Sequence, residues 1–243
     1  MTKLSININK IALLRNSRGR NFPDVFAFAE RCLSLGAHGI TLHPRPDQRH
    51  ARYSDIRPLR DLCDAHAGEL NVEGYPSPEF IEAVINIAPA QCTLVPDSPL
   101  QLTSDHGWEI RKNQAQLAQT IQLLKAANIR VSVFMDFESS DIALAKAIGA
   151  DRIELYTEPY AHAFDANTHH AILNNFKLAA TSAQHVGLGV NAGHDLSLQN
   201  LATFLQIPNI LEVSIGHAFV VECINQGLEA VMRQYLSIID DAR

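Results

Sequence analysis

The chain has 243 residues, 47% of them hydrophobic, and a formal net charge of −6 at neutral pH. A slightly acidic chain lacks the positive field of a nucleic-acid or membrane-surface protein, so neither partner is expected, although a local cationic pocket is compatible with this charge. The length allows one large domain or two small ones, and α/β barrels reach this size as one domain.

The cysteines and the amino terminus indicate the cellular setting. The four cysteines lie far apart without a Cys-x-x-Cys pair, so we predict reduced structural thiols and no zinc site. The amino terminus, MTKLSININK, has no apolar stretch of signal-peptide length, and no run approaches a membrane span. These features predict a soluble, cytoplasmic protein.

Strand and helix patterns alternate along the whole chain. The predicted strands cover 4–8, 39–42, 70–73, 91–95, 129–135, 152–156, 188–190 and 211–215. The predicted helices cover 24–36, 54–66, 77–87, 109–127, 140–148 and 167–185, followed by one capped by Ser197 and a tail over 218–241 that is hinged near Gly227. Ser54 is predicted to cap the second of these helices. The stretch 96–108 is predicted to be a long loop.

These eight strand–helix units predict the fold class. No linker, charge block or low-complexity segment separates them, so we predict a single domain over residues 1–243. Eight units in this length fit a (β/α)8 TIM barrel, which takes about 250 residues. A doubly wound open sheet is the competitor, but no Gly-x-Gly-x-x-Gly follows the first strand.

The stretch GITLHPRPDQRH, from Gly39 to His50, is a strand that opens into a cationic loop. Its two prolines fix their own φ and keep the preceding residues out of the helical region, so the loop is expected to be stiff. The loop carries His43, Arg45, Arg49 and His50. Arginine offers a bidentate fork to phosphate or carboxylate, and histidine can also transfer protons. The alternative is a solvated polar turn.

Other strand ends are polar as well, and in a TIM barrel the active site lies at these ends. They hold Asn7, Asn9, Lys10, Asp97, Asp136, Glu154, Thr157, Glu158 and Asn191 besides the residues discussed here. Glu73 lies inside its strand, where partial desolvation raises the pKa of a carboxyl group and suits it to proton transfer. An ion pair inside the barrel is the alternative for Glu73 and for Glu154, whereas Asp136 is interpreted as structural.

Gly193-His194 and Gly216-His217 follow the last two strands. The loops after these strands form the recurrent phosphate site of the fold, and glycine lets backbone N–H groups approach an anion closely. An anion-contacting or helix-start role is predicted for His217, and either that role or acid–base catalysis for His194. The remaining histidines are interpreted as surface residues, and metal binding is not expected because no His-x-His or His-Glu-x-x-His occurs.

Several motifs together resemble the pyridoxine 5′-phosphate synthase family of vitamin B6 biosynthesis. They are NINKIALLRNSRGR, GITLHPRPDQRH, NVEGYPSPEF, TLVPD, RIELYTEPYA, VNAGHDLSLQN and SIGHA, and they span nearly the whole chain. The resemblance implies a (β/α)8 barrel with extra helices that assembles as a homo-octamer, a tetramer of dimers. It also implies condensation of 3-amino-2-oxopropyl phosphate with 1-deoxy-D-xylulose 5-phosphate, without a metal or organic cofactor.

The same resemblance implies a role for individual residues. His43 and Glu73 correspond to two general bases, and His194 to a general acid. The substrate-binding positions are Asn7, Asn9, Lys10, Arg18, Arg45, His50, Thr103, Asp195, Gly216 and His217. Among these, Asn7, Arg18, Gly216 and His217 would hold the amino-ketone phosphate. Arg45, His50 and Thr103 would bind deoxyxylulose phosphate.

The chain departs from the family pattern at three of these positions. Asn9-Lys10 stands where many members have Asp-His, and Asp195 stands where glycine is common. These departures indicate a subfamily variant. Two other functions fit the strand ends: another phosphosugar-handling barrel enzyme, such as an aldolase or epimerase, or a non-catalytic protein that binds phosphorylated metabolites.

Overall fold

The computed structural model describes residues 1–97, 101 and 104–242. Eight parallel strands pair in chain order there, and the first also pairs with the last, so the sheet closes into a barrel. The strands are β1 (Lys3–Asn7), β2 (Gly39–Leu42), β3 (Glu69–Gly74), β4 (Gln91–Leu94), β5 (Arg130–Met135), β6 (Arg152–Tyr156), β7 (Gly189–Gly193) and β8 (Ile210–Ile215). The predicted (β/α)8 TIM barrel with extra helices is confirmed.

Eleven helices accompany the strands in the described part of the chain. They are α1 (Asn9–Asn16), α2 (Val25–Ser34), α3 (Tyr53–Ala65), α4 (Pro78–Ile87), α5 (Ile110–Ala126), α6 (Ile142–Ala147), α7 (Glu158–Asp165), α8 (His169–His185), α9 (Leu201–Phe204), α10 (His217–Gln226) and α11 (Leu228–Asp241). Six of the predicted helices, and the break at Gly227 between α10 and α11, are found within a few residues of the predicted bounds. None of these helices is both long and apolar enough to cross a membrane.

Two helices were not predicted, α1 and α7. In α1 the expected periodicity is inverted, because Leu13 and Leu14 are exposed while Arg15 is buried. In α7 the Glu-Pro pair at the start resembles a turn, yet proline is well tolerated in the first turn of a helix. Both helices therefore lie where local apolar patterns give no helix signal.

Two predicted helix caps were wrong. Ser54 lies inside α3, which begins after Arg52, and the Asp55 side chain accepts the Arg52 N–H at 2.8 Å. Ser197 lies three residues before Asn200, the residue that precedes α9. In contrast, Asp24, at which the predicted helix 24–36 begins, caps α2 and accepts the N–H of Phe26 at 2.8 Å.

The strands place apolar side chains outside the barrel and polar ones inside it. Alternate residues such as Leu4 and Ile6 belong to the main hydrophobic core shared with the helices. The residues between them hydrogen-bond to one another across the interior, for example Thr93 to Asn71 at 3.0 Å. Bulky aliphatic side chains usually fill this space, so the polar interior is a departure from the common pattern.

Charged side chains close the amino-terminal end of the barrel. Glu69 pairs with both Lys3 and Arg130, and Arg152 pairs with the buried Glu212 at 3.4 Å. His38 lies at this end and is half-buried, since its Nδ1 accepts the Leu4 N–H at 3.1 Å. The prediction that His38 is a surface residue was therefore wrong, because the ring is half-buried and bonds to the backbone of β1.

Candidate active site

His43 is held at the end of β2 by two asparagines. Its backbone N–H donates to Asn9 Oδ1 at 2.9 Å, and the Asn9 N–H donates to Asn7 Oδ1 at 3.0 Å. Asn7 also packs against Gly216 after β8, where an added Cβ would lie 3.1 Å from the Asn7 Cβ. The Asn9 side chain thus links the end of β1 to the end of β2.

Two neutral histidines adjoin each other at this end of the barrel. The His43 and His50 ring centroids are 6.0 Å apart. Burial, and then the positive charge of Arg45, hold the pKa of His43 well below its ordinary value of 6.5. Burial and the charges of Arg45, Arg49 and Lys10 lower the pKa of His50 to about 4. Because His50 Nδ1 accepts the Ala51 N–H at 3.0 Å, the neutral ring carries its proton on Nε2.

A buried ion pair between Arg15 and Asp55 holds the loop that carries His50. Arg15 donates to both carboxylate oxygens of Asp55, at 2.8 and 2.9 Å, and the side chains are 3% and 5% exposed. The same guanidinium donates to the His50 carbonyl at 3.2 Å, and Asn16 Nδ2 donates to that carbonyl at 2.7 Å. The loop that carries His50 is therefore anchored on α1 and α3.

Arg45 connects this loop to the segment after β4. It forms a buried ion pair with Asp97 and donates to the Gln101 carbonyl at 2.9 Å. Ser104 donates to the same Asp97 oxygen at 2.7 Å, while Asp97 Oδ1 is buried without a hydrogen-bond partner among the described residues. Thr103, a predicted substrate-binding residue, lies outside the described residues.

Glu73 is buried at the end of β3 and makes neither a hydrogen bond nor an ion pair with any described residue. The alternative of an ion pair inside the barrel is therefore not found within the part of the chain that the structure describes. Burial, and then the neighbouring carboxyl groups of Glu154 and Asp97, raise the pKa of Glu73 well above its ordinary value of 4.5. Glu73 is thus a carboxyl group with a high proton affinity.

A second buried carboxyl group, that of Glu154, interacts electrostatically with Glu73. Burial, and then Glu212, raise the pKa of Glu154 to about 8, and the Thr93 hydroxyl oxygen lies 3.4 Å from Glu154 Oε2. The Glu154 carboxyl packs against Gly193, where an added Cβ would lie only 2.4 Å from Oε1. Any side chain at residue 193 would displace this group, which explains the glycine.

His194 lies between two aromatic rings at the end of β7. Its ring centroid is 5.1 Å from that of Phe134 and 5.2 Å from that of Tyr156. Burial lowers the pKa of His194 to about 4, aided by the charges of Arg45 and Lys10 and opposed by Asp195. Val95, Phe134 and Tyr156 form a small hydrophobic cluster apart from the main core. Sequence reasoning missed this cluster, although its members lie at or next to the ends of β4, β5 and β6.

The remaining predicted residues lie at the surface around this site. Lys10, Asp195 and His217 are exposed, and the charges of Lys10 and Asp195 act on His194. His217 is the first residue of α10. Arg18 is exposed on the turn after α1 and makes no side-chain hydrogen bond or ion pair within the described ranges. The structure thus links His43, His50, Arg45, Glu73, Lys10 and His194 electrostatically and leaves Arg18 apart from them.

This arrangement can bind anions and move protons. Arg45, His50 and Lys10 provide N–H donors for a phosphate group. Histidines that are neutral at pH 7 can accept protons, and a carboxyl group of raised pKa can both hold and release one. Groups with such different proton affinities at one site favour acid–base chemistry on a phosphorylated substrate.

Comparisons with known proteins agree with this chemistry. The profile of the family described as "Pyridoxal phosphate biosynthesis protein PdxJ" matches residues 4–241. A pyridoxine 5′-phosphate synthase of Xanthomonas oryzae pv. oryzae is 51% identical over 246 residues, covering 98% of this chain and 96% of the relative. The synthase of Bacteroides fragilis is 50% identical, covering 97% of this chain and 98% of the relative.

Solved structures of similar shape share the fold at low identity. Thiamine phosphate pyrophosphorylase from Pyrococcus furiosus has a TM-score of 0.66 and 14% identity, covering 99% of this chain and 96% of that one. N-(5′-phosphoribosyl)anthranilate isomerase from the same organism has a TM-score of 0.60 and 12% identity, covering 99% and 100% of the two chains. At these identities the likeness supports the TIM-barrel fold alone.

Proposed function

The chain belongs to the PdxJ family, and we propose that His43, Glu73 and His194 perform its pyridoxine 5′-phosphate synthase reaction. The protein is thus an enzyme of vitamin B6 biosynthesis. In the proposed reaction, 3-amino-2-oxopropyl phosphate and 1-deoxy-D-xylulose 5-phosphate condense to pyridoxine 5′-phosphate, phosphate and water. The observation that supports these residue roles is that buried proton-transfer groups with pKa shifts of opposite direction interact with the cationic Arg45 of the loop after β2.

The proposed reaction needs repeated proton transfers. Imine formation, loss of water, loss of phosphate and a ring-closing aldol addition each move protons to or from carbon, nitrogen or oxygen. His43 is neutral at pH 7 because of its lowered pKa, so it can accept a proton. Glu73 has a raised pKa, so it can take up a proton in one step and return it in another. Neutral His194 can donate a hydrogen bond to a developing alkoxide.

Phosphate binding is proposed at two places on the rim. Arg45 and His50 would hold the phosphate of deoxyxylulose phosphate together with Thr103, and Lys10 adds a cation nearby. Gly216 and His217, at the start of α10, would contact the amino-ketone phosphate with Asn7 and Arg18. Asn9 is half-buried with its oxygen on the His43 N–H, so its proposed contribution to binding is through strand geometry.

A product assay with a matched variant tests the proposal. The purified protein should form pyridoxine 5′-phosphate from the two substrates, as detected by mass spectrometry. Glu73→Gln should lower turnover at least about a hundredfold while leaving phosphate-ligand binding nearly intact, because the amide cannot carry the proton. Glu82→Gln, an exposed site on α4, is the control. Binding of both substrates without product would refute the proposed synthase activity. Equal loss of turnover and binding in Glu73→Gln would indicate that Glu73 has a structural role.

We also propose that the enzyme is a cytoplasmic homo-octamer built from dimers. The support from the surface is a set of exposed apolar side chains on α1, the following turn and α10. They are Leu13, Leu14, Phe22, Val221 and Ile224, and Phe22 and Ile224 are 79% and 77% exposed. Light scattering after size-exclusion chromatography measures the assembly, and a monomeric mass would refute it.

A further inference from the structure

Thr157 occupies a helix-capping position but does not cap its helix. It is the residue before α7, where a threonine oxygen commonly accepts an N–H from the first turn. The Thr157 side chain makes no such bond and is fully buried. Its hydroxyl instead points across to the end of β7, 2.6 Å from the Gly193 carbonyl and within hydrogen-bond distance of the His194 carbonyl.

The hydroxyl proton can be assigned to one of these two carbonyls. A threonine hydroxyl has a single hydrogen to donate. The Gly193 carbonyl already accepts the Thr157 backbone N–H at 2.9 Å. The His194 carbonyl has no other donor among the described residues, so the hydroxyl is best satisfied by donating there.

The segment that receives this bond has an unfavourable backbone conformation. His194 has φ +83° and Asp195 has φ +55°, two consecutive non-glycine residues in the left-handed region. Such conformations persist only where the surroundings hold them, and they concentrate at functional sites. A second bond holds the same turn, because Asn200 Nδ2 donates to the Asp195 carbonyl at 3.0 Å.

The orientation of the His194 ring depends on this turn. The His194 carbonyl defines the peptide plane that follows its Cα, so holding the carbonyl restricts ψ of His194 and the path of the backbone that carries the ring. The ring attached to this backbone lies between Phe134 and Tyr156. Tyr156 immediately precedes Thr157, so one short segment supplies both a wall of the imidazole site and the bond to its backbone.

We propose that Thr157 is a positioning residue for His194, which it acts on through the His194 carbonyl. This inference rests on the proposed role of His194 in the synthase reaction. A displacement of a reacting group by about 1 Å can reduce turnover about a hundredfold. The hydroxyl should therefore contribute to kcat while leaving substrate binding nearly unchanged.

The test compares Thr157→Ala with Thr157→Ser, which differ from each other only by the hydroxyl group. Valine is avoided because a methyl group cannot approach a carbonyl as closely as the hydroxyl does. We expect kcat of Thr157→Ala to be at least about tenfold below that of Thr157→Ser, with KM for both substrates within about twofold. In a His194→Gln background, the Ala and Ser variants should differ by less than about twofold in residual kcat.

Three outcomes overturn the inference. Equal kcat of the Ala and Ser variants would show that the hydroxyl is not needed, and a persistent tenfold difference without His194 would show that it does not act through His194. An effect on KM alone would assign it to binding. Should Thr157→Ala fail to fold by circular dichroism, Thr157→Cys, whose thiol is a weak donor, replaces it with the same expectation. Unchanged kcat of His194→Gln would instead refute the proposed role of His194, which separates the two failures.

Discussion

Removing Asp55 should destabilise the enzyme through the charge that it leaves behind. Arg15 and Asp55 form a two-point ion pair with both side chains almost fully buried. Asp55→Ala would leave the Arg15 guanidinium without its carboxylate in the interior. Breaking a buried pair in this way costs about 3–5 kcal/mol, and the lost cap of α3 adds about 1 kcal/mol. This is a large part of the roughly 5–15 kcal/mol by which domains are stable.

Equilibrium unfolding in urea, followed by far-UV circular dichroism, measures this loss. The control is Glu109→Ala, which breaks the exposed pair with Lys112, whose side chains are 64% and 75% exposed. Exposed pairs contribute about 0–1 kcal/mol, so the control should stay close to the parent. Arg15→Met combined with Asp55→Leu should recover most of the stability, because an apolar pair needs no charge compensation. A loss in Asp55→Ala no greater than in the control would refute the argument.

Two further predictions concern the barrel interior. Burial raises the pKa of Glu154 from 4.5 to about 8, so between these values the folded protein binds a proton that the unfolded chain has lost, and stability falls as the pH rises. Because glutamine cannot bind this proton, Glu154→Gln should remove this contribution, which amounts to up to about 1.4 kcal/mol per pH unit. The Tm of the variant should therefore depend less on pH between 5 and 8 than the Tm of the parent protein. Identical slopes of Tm against pH in the two proteins would contradict the burial effect. Gly193→Ala should lower kcat about tenfold, since its Cβ would displace the Glu154 carboxyl, whereas Gly19→Ala, with nothing within 4 Å, should not. Equal activity of the two variants would show that the Glu154 position is unimportant.

The sequence was sufficient to predict the barrel because its strands carry strong local signals. Predicted bounds match β2 and β6, and the remaining strands differ by a few residues at most. Polar residues at the strand ends were predicted to meet, and His43, Glu73 and His194 do act on one another or on shared neighbours. This success follows from the fold itself, which gathers the carboxyl ends of all its strands at one face.

Features that depend on distant partners were not predictable. The α1 helix was not predicted because its buried face includes Arg15, whose partner Asp55 lies 40 positions further along the chain. In the sequence, Thr157 is one of many polar residues at strand ends. Its bond to the His194 carbonyl was not predictable because it joins residues 37 positions apart. The aromatic walls around His194 likewise come from two other strands. Local periodicity identifies elements, whereas these contacts depend on how the elements meet.

Positive charges help to lower the pKa values of the histidines at this site, so the proton affinity of these histidines should change when a charged substrate binds. Arg45 and Lys10 help to hold the pKa of His194 at about 4, and they are also cations proposed to hold substrate phosphate. A phosphate dianion placed against them cancels their positive potential, so the pKa of His194 rises on binding. Proton uptake and substrate binding are then linked, and each favours the other by the same free energy. The substrate itself would thereby increase the proton affinity of the imidazole that is proposed to act on it.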